Sequence, residues 1–474
     1  MTDSDIAGER PAQPGHARPG VSFRSPAAKF FLTGLITLML VVPLWVVMML
    51  ASERQSRRDE VAAQIGQEWG QPQRIYGPLL VVPYLARVPG ADANQTVIVR
   101  RHLVVLPETM AATVTSETEE RSVSVFEIPV YSAHAVVTGR FGAVAETLFG
   151  AEMTTVLWDE AFVSVAVDDL TGIEDASLSL GGRPLSLEPG AARDGSYPMA
   201  AGGSASIGAG VHAALGASGP VTGLDYALDL RLRGTDSIRL APVGRQSAVT
   251  MAGDWPHPAF ALGMLPSERS VSAAGFEATW RVPYLARPAP QSWTLERDGY
   301  YRFGGDMLGV GFVEPVNFYA LVERSLKYGL MFIAVTFLIV FVLETLSPQR
   351  IHVVQYCLVG LVLVMFFVLL LALSERIGFG IAYLVAAGAT TVVVASFVGL
   401  ALASLWRGAV AAASLGATFA LLYAILRLED FALLAGAIVG FLALSGLLFA
   451  TRKVDWSGAG IRAAAPVPGP TQSP

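Results

Sequence analysis

One serine and one histidine lie close enough in sequence to be considered as a nucleophile and its base. Ser204 falls in the Gly/Ser-rich stretch 201–210, AGGSASIGAG, and His212 follows it. The stretch approaches the Gly-x-Ser-x-Gly elbow of hydrolases, but it lacks the glycine two residues after Ser204, and an elbow also needs a strand–turn–helix setting. We interpret 201–210 as a flexible loop and keep a hydrolase that uses Ser204 and His212 as one alternative.

Metal and cofactor chemistry have no matching pattern in the sequence. The chain contains no H-E-x-x-H, C-x-x-C, Walker-type or dinucleotide-binding motif. The histidines have neither an i, i+4 pair nor a cysteine companion; they are His16, His102, His134, His212, His257 and His352. We therefore predict no metal ion, no cofactor and no catalytic residue. The strand-like surroundings of His102 and His134 predict hydrogen bonds within a sheet.

Charged residues beside apolar runs are the other candidates, because charge is expensive in lipid and such residues usually face the interior of a helix bundle. Glu344 lies near the end of an apolar run, close in sequence to Arg350 and His352. We predict an interfacial ion pair that fixes the turn between two helices. A proton or substrate relay is the alternative.

A second charged group is predicted at the opposite surface of the bundle. Glu375 and Arg376 are expected to pair there with Glu323, Arg324 or Lys327, where the bundle meets the outer domain. None of the predicted helices carries a charge at its centre. Because an ion-coupled or proton-coupled transporter usually needs one, the sequence gives transport weak support.

Composition indicates that membrane-spanning helices position these residues. Of the 474 residues, 53% are hydrophobic and 15% are charged, below the roughly 25% charged share of soluble domains. The apolar residues gather in uncharged runs long enough to cross a bilayer, which takes about 20 helical residues. A net charge of -6 without a Lys/Arg block argues against nucleic acid as a partner. With Cys357 as the single cysteine, no internal disulfide can form.

Six apolar runs predict six transmembrane helices. The first, 30–51, follows Lys29 and has no clear signal-peptide cleavage site, so we interpret it as a retained signal anchor. Five further runs come late in the chain, and their very short connections indicate antiparallel neighbours in a compact bundle. These five are 328–346, 353–373, 379–403, 408–426 and 431–450.

Basic residues near the helix ends predict the orientation, because Lys and Arg are enriched on the cytoplasmic side. The predicted inner links include Arg350 and Arg407, whereas the two short outer loops hold few basic residues. Both termini are therefore predicted to be cytoplasmic. Residues 1–29 and 451–474 are predicted to be disordered tails. Because the first helix crosses the membrane once, residues 52–327 are predicted to be periplasmic.

The outer domain, 52–327, is predicted to be mostly β on a helical stalk. Residues 53–69 have apolar side chains near helical spacing, and the period changes to two after them. The clearest strand is 224–232, where apolar and charged residues alternate. SLSLGGRPLSL at 177–187 predicts a hairpin, with Pro184 on an edge strand. Other predicted strands are 96–106, 121–131, 162–168 and 247–252.

One hexapeptide occurs near both ends of the outer domain. VPYLAR stands at 82–87 and again at 282–287. Coincidence between two similar strands and an internal duplication are both open interpretations.

Several long stretches are similar to one protein family. They are FVEPVNFYALVERSLKYGLMFIAVTFLIVFVLE at 312–344, RIHVVQYCLVGLVLVMFFVLLLALSERIGFGIAYLVAA at 350–387, EDFALLAGAIVGFLALSGLLFATRKVDW at 429–456, YGPLLVVPY at 76–84, EIPVYSA at 127–133 and DWPHPAF at 254–260. These residues resemble the CreD family of bacterial inner-membrane proteins. The resemblance implies an inner-membrane protein of a Gram-negative-type bacterium, associated with cell-envelope integrity and envelope stress. It brings no catalytic residue.

The sequence therefore predicts an α+β membrane protein with one N-terminal and five C-terminal transmembrane helices and a large, mostly β periplasmic domain. We expect a non-enzymatic envelope protein whose β domain binds an envelope protein, peptidoglycan or a lipid, with membrane lipids around the helices. A transporter or lipid-handling protein that uses the C-terminal bundle is the alternative.

Overall fold

The computed structural model describes residues 26–90, 95–190, 210–287, 289–298, 306–313, 318–427 and 432–450. The chain divides into two compact units. Met1–Arg54 and Phe318–Pro474 form the membrane unit, and Gln55–Asn317 form the β unit. The combination of apolar helices and a large β-rich unit confirms the predicted α+β membrane class.

The helices of the chain are α1 Pro26–Met39, α2 Val41–Trp69, α3 Leu295–Asp298, α4 Phe318–Thr345, α5 Val353–Ile377, α6 Phe379–Ala401, α7 Leu405–Arg427 and α8 Ala432–Ala450. The first two are separated only at Leu40. Helical hydrogen bonding continues across the break, from Leu40 N to Ile36 O and from Leu44 N to Leu40 O. Pro43 has no N–H to donate to the carbonyl one turn earlier, which accounts for the interruption.

Five of the described helical segments are long and apolar enough to cross a membrane: Lys29–Trp69, Phe318–Thr345, Val353–Ile377, Phe379–Ala401 and Leu405–Arg427. The sixth predicted span corresponds to α8, which is not among these five, and only some of its side chains are described. Large apolar side chains such as Leu384 and Leu400 are 72% and 80% exposed. Such outward-facing leucines suit helices that have lipid as their solvent.

Short links place consecutive helices side by side. Helix α4 contacts α5, α5 contacts α6, α6 contacts α7 and α7 contacts α8. Helix α1 packs against α4 and α5. Hence a residue at the start of the chain can meet residues more than three hundred positions later, and the buried site described below depends on that packing.

The β unit contains two sheets. Their strands are β1 Gln73–Pro89, β2 Thr96–Val105, β3 Thr109–Val123, β4 Phe126–Ala143, β5 Met153–Val156, β6 Phe162–Val167, β7 Ile173–Leu180, β8 Arg183–Leu185, β9 Glu188–Pro189, β10 Gly210–Ala214, β11 Thr222–Thr235, β12 Ser237–Leu240, β13 Gln246–Gly253, β14 Pro258–Ala259, β15 Glu268–Ser272, β16 Gly275–Val282, β17 Ser292–Thr294 and β18 Leu308–Phe312. The first sheet has the order β14-β18-β12-β1-β6-β10-β9; β2 and β5 also pair with β1, and β17 pairs with β2. The second has the order β15-β16-β13-β3-β4-β11-β7-β8.

Residues from both sheets form one hydrophobic core. In β11 the alternate residues Tyr226, Leu228, Leu230 and Leu232 are buried, whereas their charged neighbours are not. The period-two pattern therefore predicted both this strand and its buried face correctly. The predicted hairpin at 177–187 is also confirmed, because Leu180 pairs with Arg183 and strand β8 lies at the sheet edge.

Two strand predictions need correction. The predicted strand 121–131 is a hairpin turn: β3 ends at Val123, β4 begins at Phe126, and Ser124 has a φ of 62°. Apolar alternation continues through this turn, which lacks the glycine, proline or asparagine that usually indicates one. The two VPYLAR copies also differ, since the first lies within β1, whereas the second leaves β16 at Val282 and forms a 3-10 turn over Tyr284–Ala286.

The stalk helix packs against the β unit as the predicted amphipathic pattern requires. Ile65 of α2 is buried against Ile128 and Val130 of β4. At the end of α2, the Trp69 indole N–H donates to Tyr131 O at 3.3 Å. The stalk residues from Gln55 onward therefore belong to the same compact unit as the sheets.

The two histidines predicted to bond within a sheet differ. His134 Nε2 lies 2.9 Å from Asp229 Oδ1 on the neighbouring strand β11, as predicted. His102 bonds Glu296 of helix α3, outside the sheet: Glu296 accepts from the backbone N–H at 2.8 Å and from Nδ1 at 2.6 Å. This carboxylate fixes the helical turn of α3 against strand β2.

Glu296→Gln is expected to lower the unfolding free energy of the β unit near neutral pH by about 1 kcal/mol, a modest value because 36% of the side chain is exposed. Burial alone would raise the pKa of Glu296, but the hydrogen bonds from His102 outweigh it, and the pKa lies below its ordinary 4.5. A lowered carboxyl pKa stabilises the fold above pH 4.5, and the stabilisation is lost as the pH falls through the folded-state value. Unfolding measured across pH 3 to 7 should show the variant and the wild type converging at the acid end; a constant difference would contradict this.

Candidate functional site

Among the described residues of the membrane unit, the most deeply buried charge is Glu344, near the end of α4, with 5% of its side chain exposed. The Lys29 ammonium contacts its Oε1. The Ile351 backbone N–H donates to the same oxygen at 3.0 Å, and the Tyr356 hydroxyl donates to Oε2 at 2.8 Å. Both carboxylate oxygens are thus bonded from within the protein.

The Lys29 ammonium has its hydrogen-bond acceptors at the same place. Its Nζ donates to Ile351 O at 2.6 Å as well as to Glu344, and it lies 5.6 Å from the centroid of the Tyr356 ring. The cluster of Lys29, Glu344, Ile351 and Tyr356, here called the buried ion-pair cluster, ties α1 to α4, to the following link and to α5. A buried ion pair is tolerated when further hydrogen bonds accompany it, and here Ile351 and Tyr356 supply them.

The sequence predicted Arg350 or His352 as the partner of Glu344, and that pairing is wrong. Arg350 is exposed on the link between α4 and α5. His352 caps α5 instead: Val354 N donates to its Nδ1 at 3.3 Å, and its own N–H donates to Gln355 Oε1 at 2.8 Å. Closeness along the chain suggested Arg350, but packing of α1 against α4 and α5 brings Lys29 to the carboxylate.

A second polar group surrounds Glu375 at the end of α5. Its Oε1 accepts from the Tyr319 hydroxyl at 3.1 Å and lies 3.9 Å from Arg54 Nε. The remaining residues predicted for this surface have other positions. Lys327 pairs with Glu323 at 2.9 Å along α4, Arg324 Nη1 donates to Leu426 O at 3.3 Å, and Arg376 is exposed. The predicted pairing of Glu375 with Arg324 or Lys327 is therefore replaced by contacts with Tyr319 and Arg54.

Sequence reasoning missed Lys29 and Tyr356 as site residues. In the sequence, Lys29 is only a basic residue that flanks the first apolar run, and Tyr356 lies within an apolar run long enough to cross the bilayer. The sequence signal for this pair is that a lysine before one predicted helix and a glutamate at the end of another carry opposite charges. The sequence does not show which helices are neighbours in the bundle.

An apolar groove lies between α1, α4 and α8, with a volume of about 390 Å³. Its lining includes Phe30, Thr33 and Thr37 of α1 and Phe341 of α4. The threonine hydroxyls are occupied within their own helix, since Thr33 donates to Lys29 O at 2.8 Å and Thr37 to Thr33 O at 2.9 Å. This groove, here called the membrane groove, therefore offers an apolar surface, and neither Lys29 nor Glu344 lines it.

The β unit has a groove of its own, about 510 Å³, along the stalk helix. Ala62 and Gly66 of the stalk face Ile128 and Phe312 across it, and Asp236 and Arg58 add polar groups. We call it the stalk groove. It combines an apolar floor with charged margins, which is the usual composition of a binding cleft.

The alternative hydrolase pair, Ser204 and His212, falls partly outside the described residues. Ser204 lies outside them, and the His212 ring is buried on β10, where Nδ1 lies 2.7 Å from the carbonyl oxygen of Gly190. Within the described ranges, no group of three His, Cys, Asp or Glu side chains could hold a metal ion.

Comparison with known proteins identifies the protein family of this chain. A family model described as Inner membrane protein CreD matches residues 25–457. This chain belongs to the CreD family. The Inner membrane protein CreD of Escherichia coli (strain K12) is 31% identical over 433 residues, which cover 88% of this chain and 91% of that protein.

The CreD match covers both units of the structure and every residue of the buried ion-pair cluster, from Lys29 to Tyr356. The resemblance seen in the sequence is thus confirmed at the level of the family. With its several membrane-spanning helices, the chain is a multi-pass inner-membrane protein.

Proposed function

We propose that this CreD-family protein is a non-enzymatic envelope protein that anchors a periplasmic β unit in the inner membrane and uses that unit to bind a partner. The observation that carries the proposal is the buried ion-pair cluster. A residue that relays protons must exchange them with water or a substrate. Both carboxylate oxygens of Glu344 instead accept hydrogen bonds from protein donors. Such an arrangement supports an anchor better than a pump.

The large outward unit supports the binding part of the proposal. It has its own core drawn from two sheets and a stalk groove with an apolar floor. Removing the gene is expected to raise the sensitivity of the bacterium to envelope-damaging detergent, and the full chain should restore resistance. A chain in which a short linker replaces residues 72–312 should reach the membrane without restoring it. If the shortened chain restores resistance fully, the β unit is not the functional part.

The orientation is part of the proposal, with both termini cytoplasmic and residues 52–327 periplasmic. In a Cys357→Ser background, Ser270→Cys on strand β15 is expected to react with a membrane-impermeant maleimide in spheroplasts. Gln349→Cys, on the exposed link after α4, should react only after the membrane is permeabilised. Both positions are exposed, so a reversed labelling order would contradict the orientation rather than report burial.

A lipid-handling function is the second candidate, and the membrane groove is the observation that favours it. Gly34 lines the groove, and a Cβ added to it meets nothing within 4 Å. Gly34→Leu should therefore fill the groove without a backbone clash. If the protein is an anchor, this variant keeps full resistance to detergent. Loss of resistance, with Gly388→Leu on α6 as the equally uncrowded control, would favour lipid handling.

A further inference from the structure

The membrane groove follows one side of helix α4. Its lining on this helix recurs at helical spacing, from Met331 through Ala334 and Leu338 to Phe341. An α-helix rises 1.5 Å per residue, so this lining extends over about 15 Å along the helix axis. The hydrocarbon layer of a bilayer is roughly 30 Å thick, and each leaflet supplies half of it. The groove is therefore about as long as the hydrocarbon layer of one leaflet is deep.

One end of the membrane groove lies near the buried ion-pair cluster, and the other lies deeper in the bundle. Phe30 and Phe341 line the first end, with their ring centroids 5.8 Å apart. Each is within one helical turn of a charged member of the cluster, Lys29 or Glu344. Met331 lines the far end, halfway along α4. A molecule in the groove would therefore run from the level of the ion pair toward the middle of the helices.

The groove is apolar and opens to the lipid-facing surface of the bundle. The hydroxyls of Thr33 and Thr37 donate to carbonyl oxygens of their own helix, so both donors are occupied. Gly34 and Ala334, which line the groove on α1 and α4, are exposed. Leu38, one turn after Gly34, is 64% exposed, as expected of a helix surface in contact with lipid. The groove thus suits an apolar ligand that enters from the surrounding lipid.

The volume of the groove indicates how much hydrocarbon it can hold. An apolar protein cavity of about 150 Å³ stays dry and binds one benzene molecule. The groove, at about 390 Å³, is between two and three times as large, which corresponds to roughly 15 carbon atoms on the same scale. Length and volume therefore agree on one extended acyl chain, and the volume is too small for both chains of a phospholipid.

We propose that the membrane groove binds one acyl chain of a bilayer phospholipid. The ester end of the chain lies beside Phe30 and Phe341, and its methyl end lies beside Met331 and Thr37. The headgroup and the second chain stay in the surrounding bilayer. In the proposed orientation of the protein, this phospholipid belongs to the cytoplasmic leaflet. The inference goes beyond the proposed function, because an anchor and a lipid-handling protein are both compatible with such a bound chain.

Photoreactive phospholipids test both the site and the direction of the chain. The full chain is reconstituted in phosphatidylethanolamine vesicles in which some of the lipid carries a diazirine on one acyl chain. It is extracted in digitonin, which has no alkyl chain, separated from excess lipid and irradiated, and the labelled residues are mapped by mass spectrometry. A diazirine next to the ester is expected to label Phe30 and Phe341. A diazirine at the methyl end is expected to label Thr37 and Met331.

Two substitutions fill the groove from opposite walls, Gly34→Leu on α1 and Ala334→Leu on α4. Each buried methylene group is worth roughly a fourfold change in affinity, and a leucine side chain displaces several of them. Each variant should therefore retain at least about tenfold less labelled lipid than the wild type. Gly388→Leu on α6 is the control, because a Cβ at Gly388 or at Gly34 meets nothing within 4 Å. It should retain as much lipid as the wild type. Thermal unfolding in digitonin checks that all three variants are folded.

Three results overturn the proposal. They are no label in the groove of the extracted wild type, equal label in the wild type and both filled variants, and a reversed order of the two diazirine positions. A second copy of the chain could instead cover the groove. Disulfide-linked dimers of Gly34→Cys in a Cys357→Ser background would show this and would also contradict the bound lipid. The label is measured on purified protein, whereas the proposed function is tested by resistance of cells to detergent, so either can fail without the other.

Discussion

Replacing Glu344 by Ala is expected to lower the free energy of unfolding of the membrane unit by about 3 to 5 kcal/mol, the usual effect of breaking a buried ion pair. The change leaves the Lys29 ammonium without its counter-ion, and the Ile351 N–H and the Tyr356 hydroxyl lose their acceptor. Lys29→Ala should cost less, because Glu344 keeps two hydrogen-bond donors. The measurement is thermal and denaturant unfolding of the full chain in detergent.

The matched control for Glu344 is Glu323 on the same helix. Glu323 pairs with Lys327 one turn later, and their side chains are 43% and 62% exposed. Glu323→Ala should therefore change stability by no more than about 0.5 kcal/mol. Equal destabilisation by the two glutamate substitutions would show that the buried ion-pair cluster does not hold the helices together.

Trp69→Ala is expected to lower the unfolding free energy of the β unit by about 3 kcal/mol, since it removes a packed aromatic ring and two cation–π contacts. The guanidinium carbons of Arg121 and Arg233 lie over the Trp69 ring, 4.3 Å and 4.4 Å from its centroid. The ring also packs beside Ile65 of the stalk helix. The substitution should detach the last turn of the stalk from the sheets.

Hydrogen exchange of the full chain checks this prediction locally. Amides of residues 61–69 should exchange faster in Trp69→Ala, because the stalk loses the contacts of Trp69 with Tyr131, Arg121 and Arg233. Arg121→Gln removes one cation–π contact and leaves the ring in place, so it should cost about 0.5 to 1 kcal/mol. Unchanged exchange in the stalk of the alanine variant would contradict the assigned contact.

Periodicity predicted the parts of this fold whose cause is local. The alternation in 224–232 determined strand β11 and its buried leucines, and the glycines at 181 and 182 determined the hairpin to β8. Apolar run length determined the membrane-spanning helices. In each case the physical requirement acts on neighbouring residues, so the sequence displays it directly.

The parts that could not be predicted depend on contacts between distant segments. Lys29 meets Glu344 only because α1 packs on α4 and α5. The membrane groove requires α1, α4 and α8 to lie together, which no local pattern reveals. The Ser124 turn was missed for another reason: serine favours turns only weakly, and the strands retain the same alternation on both sides.

The central claim, that the helices anchor the β unit rather than relay protons, is tested most directly by a neutral version of the buried ion-pair cluster. Lys29→Met combined with Glu344→Gln removes both charges and the titratable group, while the glutamine amide can still bond Ile351 and Tyr356. We predict wild-type abundance and wild-type resistance to detergent in a strain that lacks the native gene. A double variant that is present at normal abundance and stability but restores no resistance would contradict the anchor and support a relay through Glu344.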